Sequence, residues 1–430
     1  MDEVKKWTIY LIFLIAGYTT GIGSIGLFPQ FWFKYGLTGM ALYLVFLAIL
    51  TYVAILETES VMKSGYYFVE LYTKLSRRPA MIISIFAVIA TFLSYYTSNT
   101  MLSILSPVLG TGTFARLIAK ILMFAILFLI LTRAKEKTFT IMALGSILLV
   151  VAVAVTAVTF KVVIPENTTL LETAKEMVVV RQGISFEMMR AAAERAIYSV
   201  GLGMAFYLML GSFINERFNA KVIIGTGILL QLLIGVLSTL AIVYGISLTT
   251  PERFIHYVSG GEEGAIQLMG DLPTILSDYP LLLALIGLST FFAGVTSLLP
   301  TAEVGLQILD SVLRGGRNRA ATYLVAVSTA IGIIDSPPSI AEMMLRAVST
   351  ALFFTAIYEL YPVLASRKKL SALDLAVVAT AAILFAVGGI YALIGVFREG
   401  SLYVVSGILV GILLLFGSFG NNLVAQEAAE

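Results

Sequence analysis

The chain has no cysteine and only one histidine, His256, in 430 residues. Without cysteine there are no disulfides, no iron–sulfur ligation and no thiol chemistry. A single histidine in a charged loop excludes a multi-histidine metal or haem site, and His256 reads as a solvated surface residue. Charge is scarce as well: 13% of residues are Asp, Glu, Lys or Arg, against 59% hydrophobic, and mean hydropathy is +0.96. A soluble protein of this length could not bury so much apolar surface. No segment is left for a separate soluble domain, and a net charge of +2 makes no electrostatic case for nucleic acid. No paired Asp, Ser/His pair or metal cluster falls on the apolar stretches, which argues against an intramembrane enzyme. There is no continuous polar pore or charged ring of the kind a channel requires.

What the sequence does have is apolar length. About twelve stretches reach the roughly 20 residues a helix needs to cross a bilayer. They are 8–33, 38–62, 79–108, 115–132, 138–163, 190–214, 221–248, 281–313, 319–335, 338–363, 371–396 and 401–419. They predict an all-α integral membrane fold. Two longer connections interrupt them. Residues 164–189 hold Pro165-Glu166-Asn167 and a predicted short amphipathic helix; residues 249–280 hold Pro251, Gly260-Gly261 and Pro273, with a predicted helical piece around 262–270. A short polar tail follows Asn422.

Basic residues follow topology. With the N-terminus inside, the loops on its side hold Lys5, Lys6, Lys74, Arg77, Arg78, Arg133, Lys135, Lys137, Arg217, Lys221, Arg314, Arg317, Arg319, Arg367, Lys368 and Lys369. The opposite loops hold chiefly Lys161, Lys175, Arg181, Arg253 and Arg398. This asymmetry satisfies the positive-inside rule and predicts a multi-pass plasma-membrane protein with both termini cytoplasmic. The first apolar stretch is too long for a signal peptide and has no small-residue cleavage site after it.

The first span contains Ala16-Gly17-Tyr18-Thr19-Thr20-Gly21-Ile22-Gly23-Ser24-Ile25-Gly26-Leu27-Phe28-Pro29. Each mid-helix Gly costs roughly 0.5–1 kcal/mol relative to Ala. Freed backbone groups at membrane depth survive only where they are buried or line a cavity. The sixth span repeats the feature in Tyr198-Ser199-Val200-Gly201-Leu202-Gly203-Met204. Five spans separate the two Gly-x-Gly sites, so a five-helix unit repeated at that interval is inverted. Interrupted helices at matching places in two halves point to a transporter site. The Gly17-x-x-x-Gly21 spacing also fits close helix packing; twin breaks, each flanked by Thr or Ser, favour the site.

The residues carrying the pattern are Gly21-x-Gly23, Phe28-Pro29 and Gly36; Tyr95-Tyr96; Ser199-x-Gly201-Leu202-Gly203; and Phe291-Phe292-Ala293-Gly294-Val295-Thr296-Ser297. In this order and on these spans, the chain resembles the neurotransmitter:sodium symporter family from about Trp7 to about residue 362. The resemblance implies two sodium sites. For the second, the matching groups are the carbonyls of Gly17, Thr20 and Ala293 and the hydroxyls of Thr296 and Ser297. Neutral oxygens suit a hard cation, although Thr296 and Ser297 could instead back-bond within their helix. For the first, the matches are the Thr19 carbonyl and the side chains of Ser24, Ser199 and Gln231. The family usually has Asn at the positions of Ser24 and Gln231. Either the longer Gln231 reaches across the space vacated at Ser24, or this site is lost and one sodium moves per cycle.

The same resemblance implies a substrate site. Amides of Ile22 and Gly23 and the Tyr96 hydroxyl would hold a carboxylate, helix N-termini favouring anions. Carbonyls of Thr19, Tyr198, Ser199 and Gly201 would take an ammonium. Ile22, Phe92, Tyr198, Met204, Ser297 and Thr301 would line the side-chain pocket. Gly201 would make room and Phe92 would take some away, which implies a hydrophobic amino acid.

For the gates, the family's outer Arg position is Leu27 here. Arg195, where the family usually has Gln, is expected to replace it and pair with Glu342, since a charge at membrane depth is a functional hypothesis by default. Alternatively Arg195 and Glu194 snorkel at the interface. Lys5, Lys6 and Trp7 resemble the inner Arg–Trp lock, with Ser212 and Asp310 as partners, or form a plain interfacial anchor. Glu59, with Glu57 as the alternative, matches a carboxylate near the unwound segments. Glu303 matches a Glu common in bacterial members and is expected, like Glu59, to bond freed amides. The usual chloride or substitute-acid position is Gly235, without a carboxylate.

These expectations make residues 1–430 one transporter domain, with repeats 8–163 and 190–363 and two further helices over 371–419. The expected activity is sodium-coupled symport of amino acids with one or two Na+ and no organic cofactor. Its competitors are a proton-coupled or uncoupled transporter of the same fold, and a non-transporting membrane sensor or channel. The amino acid's identity and the oligomeric state are left open.

Overall fold

Glycines and prolines divide an otherwise uniformly apolar chain into helices. The computed structural model describes residues 3–72, 79–165, 169–365, 370–398 and 401–427. Lys74, Arg77, Arg78, Glu166, Asn167, Arg367, Lys368 and Lys369 lie outside the described residues. In chain order the helices are α1 Glu3–Thr19, α2 Ile22–Ser64, the single turn α3 Phe68–Glu70, α4 Pro79–Leu109, α5 Thr113–Leu131 and α6 Lys135–Val163. They continue with α7 Thr169–Val179, α8 Phe186–Val200, α9 Phe206–Gly211, α10 Ala220–Ile246, α11 Pro251–Ser259 and α12 Gly261–Ile275. The series ends with α13 Pro280–Leu313, α14 Arg317–Ile334, α15 Pro338–Ala365, α16 Ala372–Arg398 and α17 Ser401–Glu427.

Among the described residues, eight helices are long and apolar enough to cross a membrane. α2 provides more than one crossing. At Gly36 its backbone turns to φ 56°, ψ −152°, and a Cβ there would strike the Val180 carbonyl, so the chain reverses at a glycine. The other crossings are the two broken helices, α1 with the start of α2 and α8 with α9, and the shorter or less apolar α14 and α17. The sequence count of about twelve spans is thereby reproduced in an all-α membrane fold. The apolar outer face of α16, including Ile383, Val387 and Ile390, is more than half exposed, as a lipid-facing surface should be.

Between the spans, α7 fills the place of the expected amphipathic helix and α12 extends the piece expected at 262–270. α11 was not anticipated, although Thr250 caps it and Pro251 takes its first position, a standard helix start. α17 runs on to Glu427, where a polar tail was expected.

Two groups of helices set up the centre. α2 packs on α8, α9 and α10, and α1 lies along α10. Around them stand α4, α6, α13 and α15, with α13 packed against both α4 and α6. The broken helices therefore sit between the two groups.

Candidate functional site

Each break exposes backbone groups that must find partners in a dry interior. At the first, α1 ends on a tight turn in which the Thr20 N–H meets the Gly17 carbonyl at 3.2 Å. α2 starts at Ile22, whose N–H donates to the Tyr96 hydroxyl of α4. The Ser297 hydroxyl of α13 donates to the Tyr18 carbonyl at 2.9 Å. A Cβ at Gly21 would come within 2.6 Å of the Tyr96 hydroxyl and 3.2 Å of Ser297 Oγ, so only glycine permits this approach.

The second break runs through Gly201, Gly203 and Ala205, all at positive φ (77°, 102° and 56°). Its N–H groups at Gly203 and Ala205 both donate to the carboxylate of Glu359 on α15, at 2.7 Å from Gly203. Its carbonyls are taken by tyrosines: Tyr18 Oη donates to Gly201 at 2.6 Å and Tyr207 Oη to Val200 at 2.7 Å. The sequence reading missed Tyr18 and Glu359. Of the two acids weighed on the second span, the burial favours the alternative, Glu57. Glu59 pairs with Lys63 one turn on, whereas Glu57 is fully buried among the tyrosines facing Glu359. Gly201 does make room, but for the Tyr18 ring rather than a substrate: a Cβ there would lie 2.7 Å from Tyr18 Cε1.

Residues expected at the second ion site meet where the first break packs on α13. Thr296 Oγ1 lies 3.1 Å from the Gly17 carbonyl, 3.3 Å from the Ala293 carbonyl and 2.8 Å from that of Phe292. Ser297 Oγ lies 3.5 Å from the Gly17 carbonyl. Thr20 closes the same turn. The hydroxyls thus make both the local back-bond and the cross-helix contact. These oxygens are neutral, buried and convergent, a donor set that fits a monovalent hard cation. The packing is tight, since a Cβ on Gly17 would strike Ser146 and lie 2.9 Å from Thr296 Cβ.

The first expected ion site is assembled differently. Ser24 Oγ lies 3.5 Å from the Thr19 carbonyl. Gln231 and Ser199 are completely buried, and their side chains come together against the hydroxyl of Tyr43, a residue the sequence reading did not single out. None of these three side chains completes a hydrogen bond among the described residues. The positive charge of Arg195 acts on the same hydroxyl and on that of Tyr96. A Cβ on Gly23 would lie 3.7 and 3.9 Å from its Nη2 and Nη1. Arg195 is only 8% exposed, so it does not snorkel. Nor does it pair with Glu342, whose partners are Arg346 at 3.4 Å and the Tyr403 hydroxyl at 2.9 Å. Glu194 pairs with Arg190 at 3.1 Å. At Gly235, the expected chloride or acid position, the Phe28 ring would sit 3.0 Å from any Cβ and fills the space.

Of the residues expected to line the side-chain pocket, Ile22 borders the cavity described below, Tyr198 borders a separate one between α8, α15 and α16, and the others pack among themselves. Phe92 stacks on Tyr96 at 4.6 Å. The Thr301 hydroxyl donates to the Ser297 carbonyl at 2.8 Å and lies 3.7 Å from Met204 Sδ. The Tyr198 hydroxyl donates to the Ser349 carbonyl at 3.3 Å, and its ring meets Phe353 edge-on.

No family model and no curated protein matches this sequence. Among solved structures, the chain is similar to the crystal structure of MhsT in complex with L-phenylalanine. The TM-score is 0.57 and identity 17%, over 98% of both chains. The fold is that of the leucine-transporter-like neurotransmitter:sodium symporters. Within it, the two breaks occupy the first and sixth spans, as their spacing predicted.

A cavity of about 330 Å³ descends from the end of the bundle opposite the N-terminus and ends on Ile22, Gly23 and Tyr96. Arg116 lines its wall, bonded to Asn99 Oδ1 and the Thr111 carbonyl, each at 3.3 Å. The N-terminal side is closed by a different set from the one expected. Buried Glu303 takes both Nη atoms of Arg317 at 2.7 Å and Gln307 at 2.8 Å, so it bonds side chains and not freed amides. Lys135 stands 3.4 Å over the Phe213 ring. The expected lock is not formed: Ser212 Oγ accepts the Phe68 N–H at 3.0 Å, and Asp310 lies near Tyr67 and Lys135. Lys5 is exposed, and Trp7 packs edge-on against Tyr10. The arginine–carboxylate contact on this side falls between α13 and α14, a pairing that no local sequence pattern announces.

Proposed function

We propose that this protein is a sodium-coupled symporter of amino acids that works by alternating access. The observation that carries this is the oxygen cluster of Gly17, Ala293, Thr296 and Ser297, beside the turn that Thr20 closes. It joins a broken helix to α13 with neutral ligands alone. A sodium ion there, as cargo, would tie the central group of helices to its surround. Close beside it, the Ile22 N–H and the Tyr96 hydroxyl form the end of the cavity, where helix polarity favours a carboxylate. The substrate class is a hydrophobic amino acid. This is supported by the apolar wall of the cavity, which includes Ile22, Leu102, Met269, Leu283 and Ile286, and by the likeness to MhsT, whose structure holds L-phenylalanine.

In this function α1, α2, α8, α9 and α10 rock against the remaining helices, with two inverted five-helix units at 8–163 and 190–363. The cavity opens outside and both termini are cytoplasmic, in the plasma membrane. Uptake of labelled hydrophobic L-amino acids into proteoliposomes tests the proposal. Accumulation should require an inward sodium gradient and fail with potassium. Accumulation driven by a proton gradient alone would favour a proton-coupled transporter, and no uptake under either gradient would remove the transporter function.

A further inference from the structure

The first ion site carries a positive charge of its own. Its oxygens are the Thr19 carbonyl and the side chains of Ser24, Ser199, Gln231 and Tyr43, all neutral and all buried. Such a set suits a cation, yet the guanidinium of Arg195 borders Gly23, where a Cβ would lie 3.7 Å from Nη2, and its charge acts on the hydroxyls of Tyr43 and Tyr96. At an effective dielectric of about 20, a fixed positive charge anywhere from about 5 to 10 Å away disfavours a monovalent ion by roughly ten- to a few hundredfold. A guanidinium brings five N–H donors in a planar fork that matches carboxylates. Ser24 offers one short hydroxyl, and Gln231 comes to Tyr43 and Ser199.

We propose that Arg195 is the resident cation of the first ion site: it takes the place of a sodium ion and binds the substrate carboxylate directly. This rests on the symport reading above, in which the carboxylate lies at Ile22, Gly23 and Tyr96. The guanidinium is within van der Waals reach of a side-chain atom at Gly23, so it borders that cradle without any rearrangement of the helices. One sodium then moves per substrate, through the Thr296 and Ser297 site. Arg195 is a specificity-determining residue for a carboxylate and not half of an outer gate.

The test combines stoichiometry with binding. In proteoliposomes of the native protein, the membrane potential that halts net uptake under fixed gradients should give one Na+ per amino acid; two would overturn the proposal. In purified protein, L-phenylalanine and L-leucine are compared with phenethylamine and isoamylamine, which lack the carboxylate. Arg195→Gln should weaken the amino acids roughly 10- to 100-fold, as expected for a hydrogen-bonded charge. It should leave the amines and the half-saturating sodium concentration within about twofold of native. Arg195→Lys should recover part of the loss. Equal losses for acids and amines would mean a structural role and refute the assignment. If Arg195→Gln does not fold, the native stoichiometry and Arg195→Lys decide. A failure of sodium dependence altogether would fall on the symport proposal instead, because acid-over-amine discrimination by Arg195 is read independently of sodium.

Discussion

Thr296→Val separates ion binding from folding. The side chain is 1% exposed, and valine matches its shape while deleting the hydroxyl. That hydroxyl is shared among the carbonyls of Phe292 at 2.8 Å, Gly17 at 3.1 Å and Ala293 at 3.3 Å. Two of these carbonyls lie within α13, where helix N–H groups still bond to them. Gly17 keeps the Thr20 N–H at 3.2 Å. No buried acceptor is orphaned and no cavity opens, so the cost to the empty protein is about 1 kcal/mol.

In the proposed function a sodium ion would fare worse, because it would lose one of its few ligand oxygens. A polar group acting on a charge is worth about 1.5–3 kcal/mol, so half-saturating sodium should rise roughly 10- to 150-fold. Uptake measured against sodium at fixed substrate gives this value. Thermal unfolding in detergent, with and without sodium, gives the other: the unfolding temperature without sodium should be nearly native, while the increment from sodium shrinks. A folded Thr296→Val protein with native half-saturating sodium would refute the site.

Substitutions at two further places test what holds the frame. Glu359→Gln should lower the unfolding temperature, since its amide turns a donor toward the Gly203 or Ala205 N–H and leaves it unpaired, at about 1–3 kcal/mol; an unchanged temperature would mean that the second break does not depend on this carboxylate. Lys120 and Asp335 form an ion pair at 2% and 0% exposure, with Ser94 Oγ donating to the Asp at 2.8 Å. Lys120→Met alone should cost about 3–5 kcal/mol by stranding a charge, and Lys120→Met with Asp335→Leu should recover most of it, read as non-additivity in unfolding.

The sequence revealed those features that depend on local chemistry. Glycines at 21, 23, 201 and 203 marked both breaks because backbone conformation is a local property. Thr296 and Ser297 could be placed because the surrounding motif fixed their span. What stayed hidden depends on distant partners. Tyr18 meets Gly201 across 183 residues and Glu359 meets Gly203 across 156. Placing Glu59 ahead of Glu57 has a related cause. Two residues on a helix are about 200° apart, on nearly opposite faces, and a helix apolar all round gives no pattern to say which face is inward. Arg195 was recognised as a charge out of place, but its neighbours Tyr43 and Gly23 emerge only when α2 packs on α8.

The bonds at the two breaks divide by where their partners stand. Tyr18 Oη to the Gly201 carbonyl, at 2.6 Å, links one break to the other inside the central group. The bonds from Tyr96, Thr296 and Ser297 to the first break, and from Glu359 to the second, cross from α4, α13 and α15. In the proposed cycle the central group rocks as a unit. The Tyr18 bond then persists in every state, whereas the crossing bonds are strained or remade. A ligand shifts a conformational balance only through contacts that differ between states, and the proposed sodium and carboxylate positions both lie on crossing bonds. Tyr18→Phe tests this division. It leaves the Gly201 carbonyl buried without its donor and should destabilise the protein by about 1–3 kcal/mol. The backbone carbonyl that Ser297 uses is untouched, so half-saturating sodium should stay native. Thr296→Val should show the opposite profile, normal stability with weakened sodium. If Tyr18→Phe shifts sodium affinity as far as Thr296→Val does, the two breaks do not move together, and the rigid central group is refuted.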